Sequence, residues 1–185
     1  MNEEVIEKSV SVLEKGGVIL YPTDTIWGIG CDATNENSIN KIYKIKNRSK
    51  DKPLILLVND INMLSKYVKK LPKELIKLIK KNNTPTTIIY PNPKNLPNLL
   101  TEKKSIAIRV TTDYFCSEII KRLAKPIIST SANISLEKNP KNFKEINVKI
   151  KKMVDYIAKH KIEFNLEKPS RIIKINSNNK TEFIR

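Results

Sequence analysis

Four clusters of polar residues stand where apolar runs end, and each has a chemistry that its residue types permit. The first is Tyr21-Pro22-Thr23-Asp24-Thr25, leading through Trp27-Gly28-Ile29-Gly30 to Cys31-Asp32-Ala33. Hydroxyls and a carboxylate beside two glycines let a small polar ligand approach the backbone closely. A capped turn accounts for the same residues, because Thr and Asp favour such ends. The second cluster, Lys46-Asn47-Arg48-Ser49-Lys50-Asp51-Lys52-Pro53, places cations directly before an apolar run. Guanidinium grips phosphate bidentately and ammonium acts as a point charge, so the mixture suits a polyphosphate, or else forms a solvated loop. The third, Ser105-Ile106-Ala107-Ile108-Arg109, ends an apolar strand on an arginine. Burying a guanidinium without a partner is costly, so Arg109 calls for a carboxylate or phosphate ligand, or for an acid of the chain itself. The fourth, Ser129-Thr130-Ser131-Ala132-Asn133-Ile134-Ser135, gathers short hydroxyl and amide groups that can orient an anion or an amino acid, or build a Ser/Thr-rich turn.

Several chemistries are excluded. The single histidine, His160, stands among lysines and far along the chain from any serine cluster, which argues against a Ser-His-Asp hydrolase and for a solvated surface histidine. Neither Gly-x-x-x-x-Gly-Lys-Ser/Thr nor Gly-x-Gly-x-x-Gly occurs, so a bound nucleotide would need another kind of cradle. Cys31 and Cys116 are far apart and form no Cys-x-x-Cys pair, which suggests two small core residues rather than a disulfide framework or a zinc site.

The elements that must hold these clusters alternate. Val5, Ile6, Val10 and Leu13 fall at helical spacing before Gly16-Gly17, so residues 3 to 15 read as a helix, followed by a buried strand over Val18 to Tyr21. A helix over 36 to 46 precedes a strand over Leu54 to Val58. Segments 61 to 69 and 73 to 81 read as helices and 86 to 90 as a strand. Residues 91 to 99, with Pro91, Pro93 and Pro97, read as a loop suited to a mobile lid. Ser105 to Val110 is a strand, 112 to 124 a helix and Ile127 to Thr130 a strand, with further strands at Arg171 to Ile175 and Thr181 to Ile184. The sum is an α/β domain, helices packed on a twisted and mixed sheet, with no repeat and no linker to divide it.

A chain of 185 residues can bury about 70% of the surface its unfolded form exposes, enough for a core without staples. No apolar run approaches the roughly 20 residues of a membrane helix. The start, Met1-Asn2-Glu3-Glu4, lacks the basic and apolar regions of a secretion signal, which places the protein in the cytoplasm. The net charge of +16 is mostly lysine, since the arginines are Arg48, Arg109, Arg122, Arg171 and Arg185. Lys, Ile and Asn are used throughout, a pattern that A/T-rich codons alone produce, although such a field also suits an enzyme that handles phosphate or passes a product toward tRNA.

Taken in order, the clusters resemble the YrdC family, the threonylcarbamoyl-AMP synthases, over nearly the whole chain. Tyr21-Pro22-Thr23-Asp24-Thr25-x-x-Gly28-x-Gly30-Cys31-Asp32-Ala33 is similar to the family's N-terminal signature. Lys46-x-Arg48 with Lys52-Pro53-Leu54 resembles its basic loop, and Ser129-x-Ser131-Ala132-Asn133-x-Ser135 its serine-asparagine signature. The paired Lys-x-Arg and Ser-x-Asn elements also separate the synthases from a paralogous YciO branch. The chain departs from the pattern at Thr84-Pro85-Thr86-Thr87, at Leu136 where a glycine is usual, and at Ser170-Arg171.

The resemblance implies one YrdC-like domain over residues 1 to 185, a twisted mixed sheet with a basic concave face that holds ATP and L-threonine side by side, similar to the short synthases without a C-terminal extension. Carried over by position, Thr23, Thr25, Arg109, Ser129 and Ser170 face threonine, whereas Arg48, Lys52, Ser105, Ser131, Asn139 and Arg185 face ATP. Lys46, Arg48, Ser131 and Asn133 form the catalytic signatures. The implied reaction needs no protein nucleophile: threonine's amine captures bicarbonate or CO2, and the carbamate attacks the α-phosphate and expels pyrophosphate. The implied catalysis is positioning plus charge stabilisation, with Mg2+ carried by the nucleotide rather than held by the protein. The implied product feeds threonylcarbamoyladenosine modification of ANN-decoding tRNAs through a downstream threonylcarbamoyl transferase complex. A non-catalytic module binding double-stranded RNA or tRNA by backbone charge is the competing class, against which the few aromatics argue, and any tRNA binding by the enzyme itself is expected to be weak. A third is the YrdC-like part of a hydrogenase-maturation carbamoyltransferase, which normally sits inside a much longer chain.

Overall fold

The computed structural model describes residues 3–81, 84–159, 168–175 and 181–184. Helix α1 (Glu3–Glu14) turns Ile6, Ser9, Val10 and Leu13 inward. It stops where Gly16 takes φ +73°, a backbone that glycine adopts without a Cβ penalty, and Gly17 N–H returns to the Val12 carbonyl at 2.8 Å. Strands β1 (Ile19–Pro22) and β2 (Trp27–Asp32) then form an antiparallel pair, buried at every residue. The second strand lies inside the first polar cluster, where the turn-like residues and two glycines conceal it.

Helix α2 (Glu36–Ile45) is capped by Asn35, whose side chain accepts from Ser38 N–H at 3.1 Å. Strand β3 (Ile55–Val58), helix α3 (Ile61–Tyr67, capped by Asp60), helix α4 (Lys73–Lys81) and strand β4 (Thr86–Pro91) follow as the periodicity indicates. After the short helix α5 (Asn98–Thr101) come strand β5 (Ser105–Val110), helix α6 (Tyr114–Leu123) and strand β6 (Ile127–Ser131). Asp113 caps α6 by accepting from Cys116 N–H at 2.9 Å. Helix α7 (Val148–Met153) and strand β7 (Tyr156–Ile157), which the sequence pattern does not announce, precede β8 (Arg171–Ile175) and β9 (Thr181–Phe183).

The strands form one mixed sheet in the order β7-β1-β2-β6-β3-β5-β4-β8-β9. Pairs β1/β7, β3/β5 and β4/β8 are parallel and the rest antiparallel. Helices flank the sheet, with α1 and α6 packed on one another. Cys31 and Cys116 are free and fully buried, as small core residues.

The loop over 91 to 99 is not a lid over the polar clusters. Lys94 N–H donates to the Tyr67 carbonyl at 3.0 Å, Asn95 Nδ2 to the Lys66 carbonyl at 2.7 Å, and Asn92 N–H to the Lys104 carbonyl at 2.8 Å. The loop is thereby fastened to the end of α3 and the start of β5. His160 and Arg185 lie outside the described residues. Among the described residues no helix is long and apolar enough to cross a membrane.

Candidate active site

Strand register decides which side chains meet. Side chains alternate across a strand, and residues opposite one another in a ladder share a face. Gly28 pairs with Ser131 and Gly30 with Ser129. Ser129 pairs with Ile55, Ile55 with Ala107, Leu57 with Arg109, Ala107 with Ile89, and Thr87 with Ile172. One sheet face therefore carries two serines, an apolar strip, Arg109 and Thr87 in a row across six strands.

That face is the floor of a cavity of about 340 Å³. Its rim brings in Thr23, Thr25, Arg48, Thr130, Asn139 and Ser170 from loops and strand ends. Of the expected threonine contacts, Thr23, Thr25, Arg109, Ser129 and Ser170 all line it, and so do Arg48, Ser131 and Asn139 of the expected ATP contacts. Ser105 continues the same sheet face but lines an adjoining cavity of about 150 Å³, with Tyr43, Lys50 and Leu100. The two cavities share Pro53, Leu54, Ile89 and Ala107 as a common border. Lys52 stands beside this border on the loop before β3, and its side chain lines neither cavity.

Thr23 organises the first cluster as a turn. Its hydroxyl oxygen accepts from Thr25 N–H at 3.0 Å and Ile26 N–H at 3.2 Å, and lies 2.9 Å from the Thr25 hydroxyl. The capped-turn reading and the ligand reading thus hold for the same residues. Arg109 is 5% exposed and forms an ion pair with Asp24, while its Nη1 donates weakly to Thr25 Oγ1 at 3.4 Å. An acid of the chain itself offsets the burial of this guanidinium, so Arg109 needs no ligand to be stable.

Lys46 and Asn133, which complete the two signatures, face inward and do not line the cavity. Lys46 is 1% exposed at the end of α2. Its Nζ donates to the Ser131 carbonyl, to the Asn133 carbonyl at 2.7 Å and to Asn133 Oδ1 at 3.1 Å. Asn133 Oδ1 also accepts from Ser131 Oγ at 2.5 Å, and Asn133 Nδ2 donates to the Glu137 carbonyl at 2.6 Å. Ser135 N–H closes the set on the Lys46 carbonyl at 2.8 Å. The two signatures are parts of one clamp, which fixes the turn after β6 and thereby the directions of Ser131 and Asn139. The turn also explains the glycine usual after Ser135: Leu136 occupies it at φ +76°, with its side chain in solvent.

Arg48 is held from the other side. Its Nη2 donates to the Pro53 carbonyl at 2.9 Å, and its buried Nε has no hydrogen-bond partner among the described residues. Thr87, Thr130 and Pro169, to which the sequence assigns no substrate, also line the cavity. Thr87 shares a 2.8 Å hydroxyl contact with Ser170, which alternation within the 86 to 90 strand could have signalled.

Electrostatics separate roles. Among the described residues lining the cavity, the ionisable side chains are Arg48 and Arg109. With Arg109 paired to Asp24, Arg48 leaves the lining with a net positive charge suited to an anion, and among those residues there is no carboxylate or imidazole to act as a general base. No group of His, Cys, Asp and Glu among the described residues is arranged to hold a metal ion. Burial first, and then the nearby Arg48 charge, push Lys46 from 10.5 down to about 7. The folded chain therefore binds fewer protons than the unfolded chain between those values, and its stability is expected to rise with pH through that window. Urea denaturation at about pH 6 and about pH 9 checks this against Lys46→Met: the stability difference should move in favour of the unsubstituted protein as pH rises. A difference independent of pH would show that Lys46 titrates as a free lysine.

Known proteins resemble this chain in sequence and in fold. The profile of the Sua5/YciO/YrdC family, described as telomere recombination, matches residues 11–185. A threonylcarbamoyl-AMP synthase of Hahella chejuensis is 34% identical over 93% of this chain and 94% of its own length. Among solved structures, P. abyssi Sua5 complexed with L-threonine superposes with TM-score 0.87 at 24% identity, covering 100% of this chain and 54% of Sua5, so this chain spans about half of that protein. E. coli YciO superposes with TM-score 0.83 at 25% identity over 100% of this chain and 89% of its own. With the match to the profile from α1 onward, and the Lys-x-Arg and Ser-x-Asn elements joined in one clamp, the chain belongs to the Sua5/YciO/YrdC family.

Proposed function

We propose that this cavity binds L-threonine and ATP side by side, and that the chain is an L-threonylcarbamoyladenylate synthase, a nucleotidyltransferase of tRNA modification. The observation that carries the reading is the gathering of Arg48 and Arg109, far apart in sequence, at one cavity whose other polar lining groups are hydroxyls and an amide. The 34% identity to a named synthase over nearly both whole chains supports it. The L-threonine held by P. abyssi Sua5 supports threonine as the amino acid.

Thr23, Thr25, Arg109, Ser129 and Ser170 hold threonine, with Arg109 offering its carboxylate the guanidinium donors that the Asp24 pair leaves over. Arg48, Ser131 and Asn139 meet the phosphates, and the nucleotide extends past Lys52 toward Ser105 and the adjoining cavity. Arg185 remains a proposed ATP contact. Threonine's neutral amine adds to CO2 and releases one proton to solvent, or condenses with bicarbonate and releases one water; either route gives the same carbamate. A carbamate oxygen then attacks the α-phosphorus, the bond to the β-phosphate oxygen breaks, and pyrophosphate leaves. Arg48 stabilises charge developing on the phosphates, and the clamp of Lys46 and Asn133 keeps Ser131 aimed at the reacting group, so catalysis is positioning and electrostatics. Mg2+ enters with the nucleotide. The chain works as one cytoplasmic domain and passes its product to a downstream threonylcarbamoyl transferase complex, with at most weak binding of tRNA.

Mass spectrometry on a mixture of protein, ATP, threonine and isotopically labelled bicarbonate tests the reading. The label is expected in threonylcarbamoyl-AMP. Formation of threonyl-AMP without the label would show direct amino-acid activation instead.

A further inference from the structure

The family signature leaves one buried polar group unexplained. Tyr21 is fully buried, and its hydroxyl lies beside the Ser129 hydroxyl without a well-formed hydrogen bond. Its position is set by the glycines of the neighbouring strand. A Cβ on Gly28 would stand 3.5 Å from Tyr21 Cζ and 3.3 Å from Ser129 Oγ. A Cβ on Gly30 would stand 2.8 Å from Tyr21 Cε1 and 2.9 Å from Tyr21 Oη. At Gly30, where a Cβ would also stand 2.6 Å from the Ile128 carbonyl oxygen, the missing side chain makes room for the tyrosine ring. Register puts its hydroxyl on the cavity face, against Gly30, the ladder partner of Ser129.

A buried phenol with no well-formed hydrogen bond costs stability, and here it lies directly behind Ser129, which lines the cavity, so it is placed to direct that hydroxyl. Burial pushes the pKa of this phenol well above the ordinary tyrosine range, so it remains a donor at any working pH, and Ser129 opposes the shift. Phe115 buttresses the ring at a centroid separation of 6.0 Å, which leaves the tyrosine little room to turn elsewhere.

We propose that Tyr21 is a positioning residue for the amino-acid substrate: its hydroxyl donates to Ser129 Oγ when the cavity is filled, which turns the Ser129 O–H toward an oxygen of the bound amino acid. Ser129 is thereby committed as a donor to the ligand rather than free to act as an acceptor. The inference rests on the placement of Ser129 at the threonine end of the cavity. Binding draws the Tyr21–Ser129 contact into a full hydrogen bond, and the gain appears as affinity for the amino acid.

Tyr21→Phe removes the hydroxyl and keeps the ring. The expected result is a rise of roughly fivefold to tenfold in KM for threonine, with kcat, KM for ATP and Tm unchanged or Tm slightly raised. Ser129→Ala should raise the same KM, and in that background Tyr21→Phe should add nothing. An unchanged threonine KM in Tyr21→Phe, with Ser129→Ala impaired, overturns the role of Tyr21 and leaves the site reading intact. An unchanged KM in Ser129→Ala removes Ser129 from the threonine site, and the relay with it. A fall in Tm for Tyr21→Phe would assign the hydroxyl to the fold and likewise overturn the proposal.

Discussion

Replacing Lys46 with methionine is expected to lower kcat/KM for ATP by about 100-fold while the protein stays folded, because a small misplacement of reacting groups carries a cost of that order. Lys46 does not reach the cavity; its Nζ holds two carbonyls and the Asn133 amide oxygen behind it. Methionine fills a similar volume without a charge to bury, so the apolar surroundings lose little. The three acceptors lose their donor, and each acceptor left unsatisfied in the interior costs about 1 to 3 kcal/mol. The turn after β6 escapes that penalty by moving, and Ser131 and Asn139 move with it. Circular dichroism and steady-state kinetics check the outcome together. Near-normal kinetics in a folded variant would reduce Lys46 to a packing residue.

Arg48→Ala is expected to raise KM for ATP about 10-fold to 150-fold while leaving KM for threonine within about twofold, since a charged contact to phosphate is worth roughly 1.5 to 3 kcal/mol. The substitution also frees the Pro53 carbonyl, which lies at the exposed edge of the loop and can turn to water. Arg48→Lys should recover only part, because an ammonium cannot reproduce the fork of a guanidinium. Apparent constants for both substrates decide the matter, and an unchanged value for ATP would remove Arg48 from the nucleotide end of the cavity.

Much of this architecture is legible in residue order. Long periodic segments such as α1, α2 and α6 read correctly because their apolar spacing and their stops or caps agree. Strand β2 does not, because Gly28 and Gly30 carry little strand propensity and the polar residues before them mimic a turn. Gly30 is explained by the Ile128 carbonyl and the Tyr21 ring, both of which a Cβ there would strike, and these contacts require the β1/β2 and β2/β6 pairings to be known. The proline-rich loop misleads for a related reason: Pro and Asn mark irregular backbone, yet its anchoring to α3 depends on contacts that composition does not encode.

At the site, residue types are legible and directions are not. Lys46 caps α2 and Arg48 follows Asn47, whose φ of +46° turns the chain, so one side chain runs inward to β6 and the other to the cavity. Asp24 and Arg109 are 85 positions apart, and the choice between ligand and internal acid could be decided only by the ion pair itself. Ser105 and Lys52 fall beside the main cavity because the sheet face continues past Ala107 into a second hollow.

The most direct test of the central claim is pyrophosphate release from ATP with threonine and bicarbonate supplied singly and together, in buffer freed of CO2 and without tRNA. A cavity whose ionisable lining among the described residues is Arg48 and Arg109 can stabilise a carbamate attacking phosphate but holds no base there to activate water. Release is therefore expected only when threonine and bicarbonate are both present. Equal release without threonine, or without bicarbonate, would contradict the account.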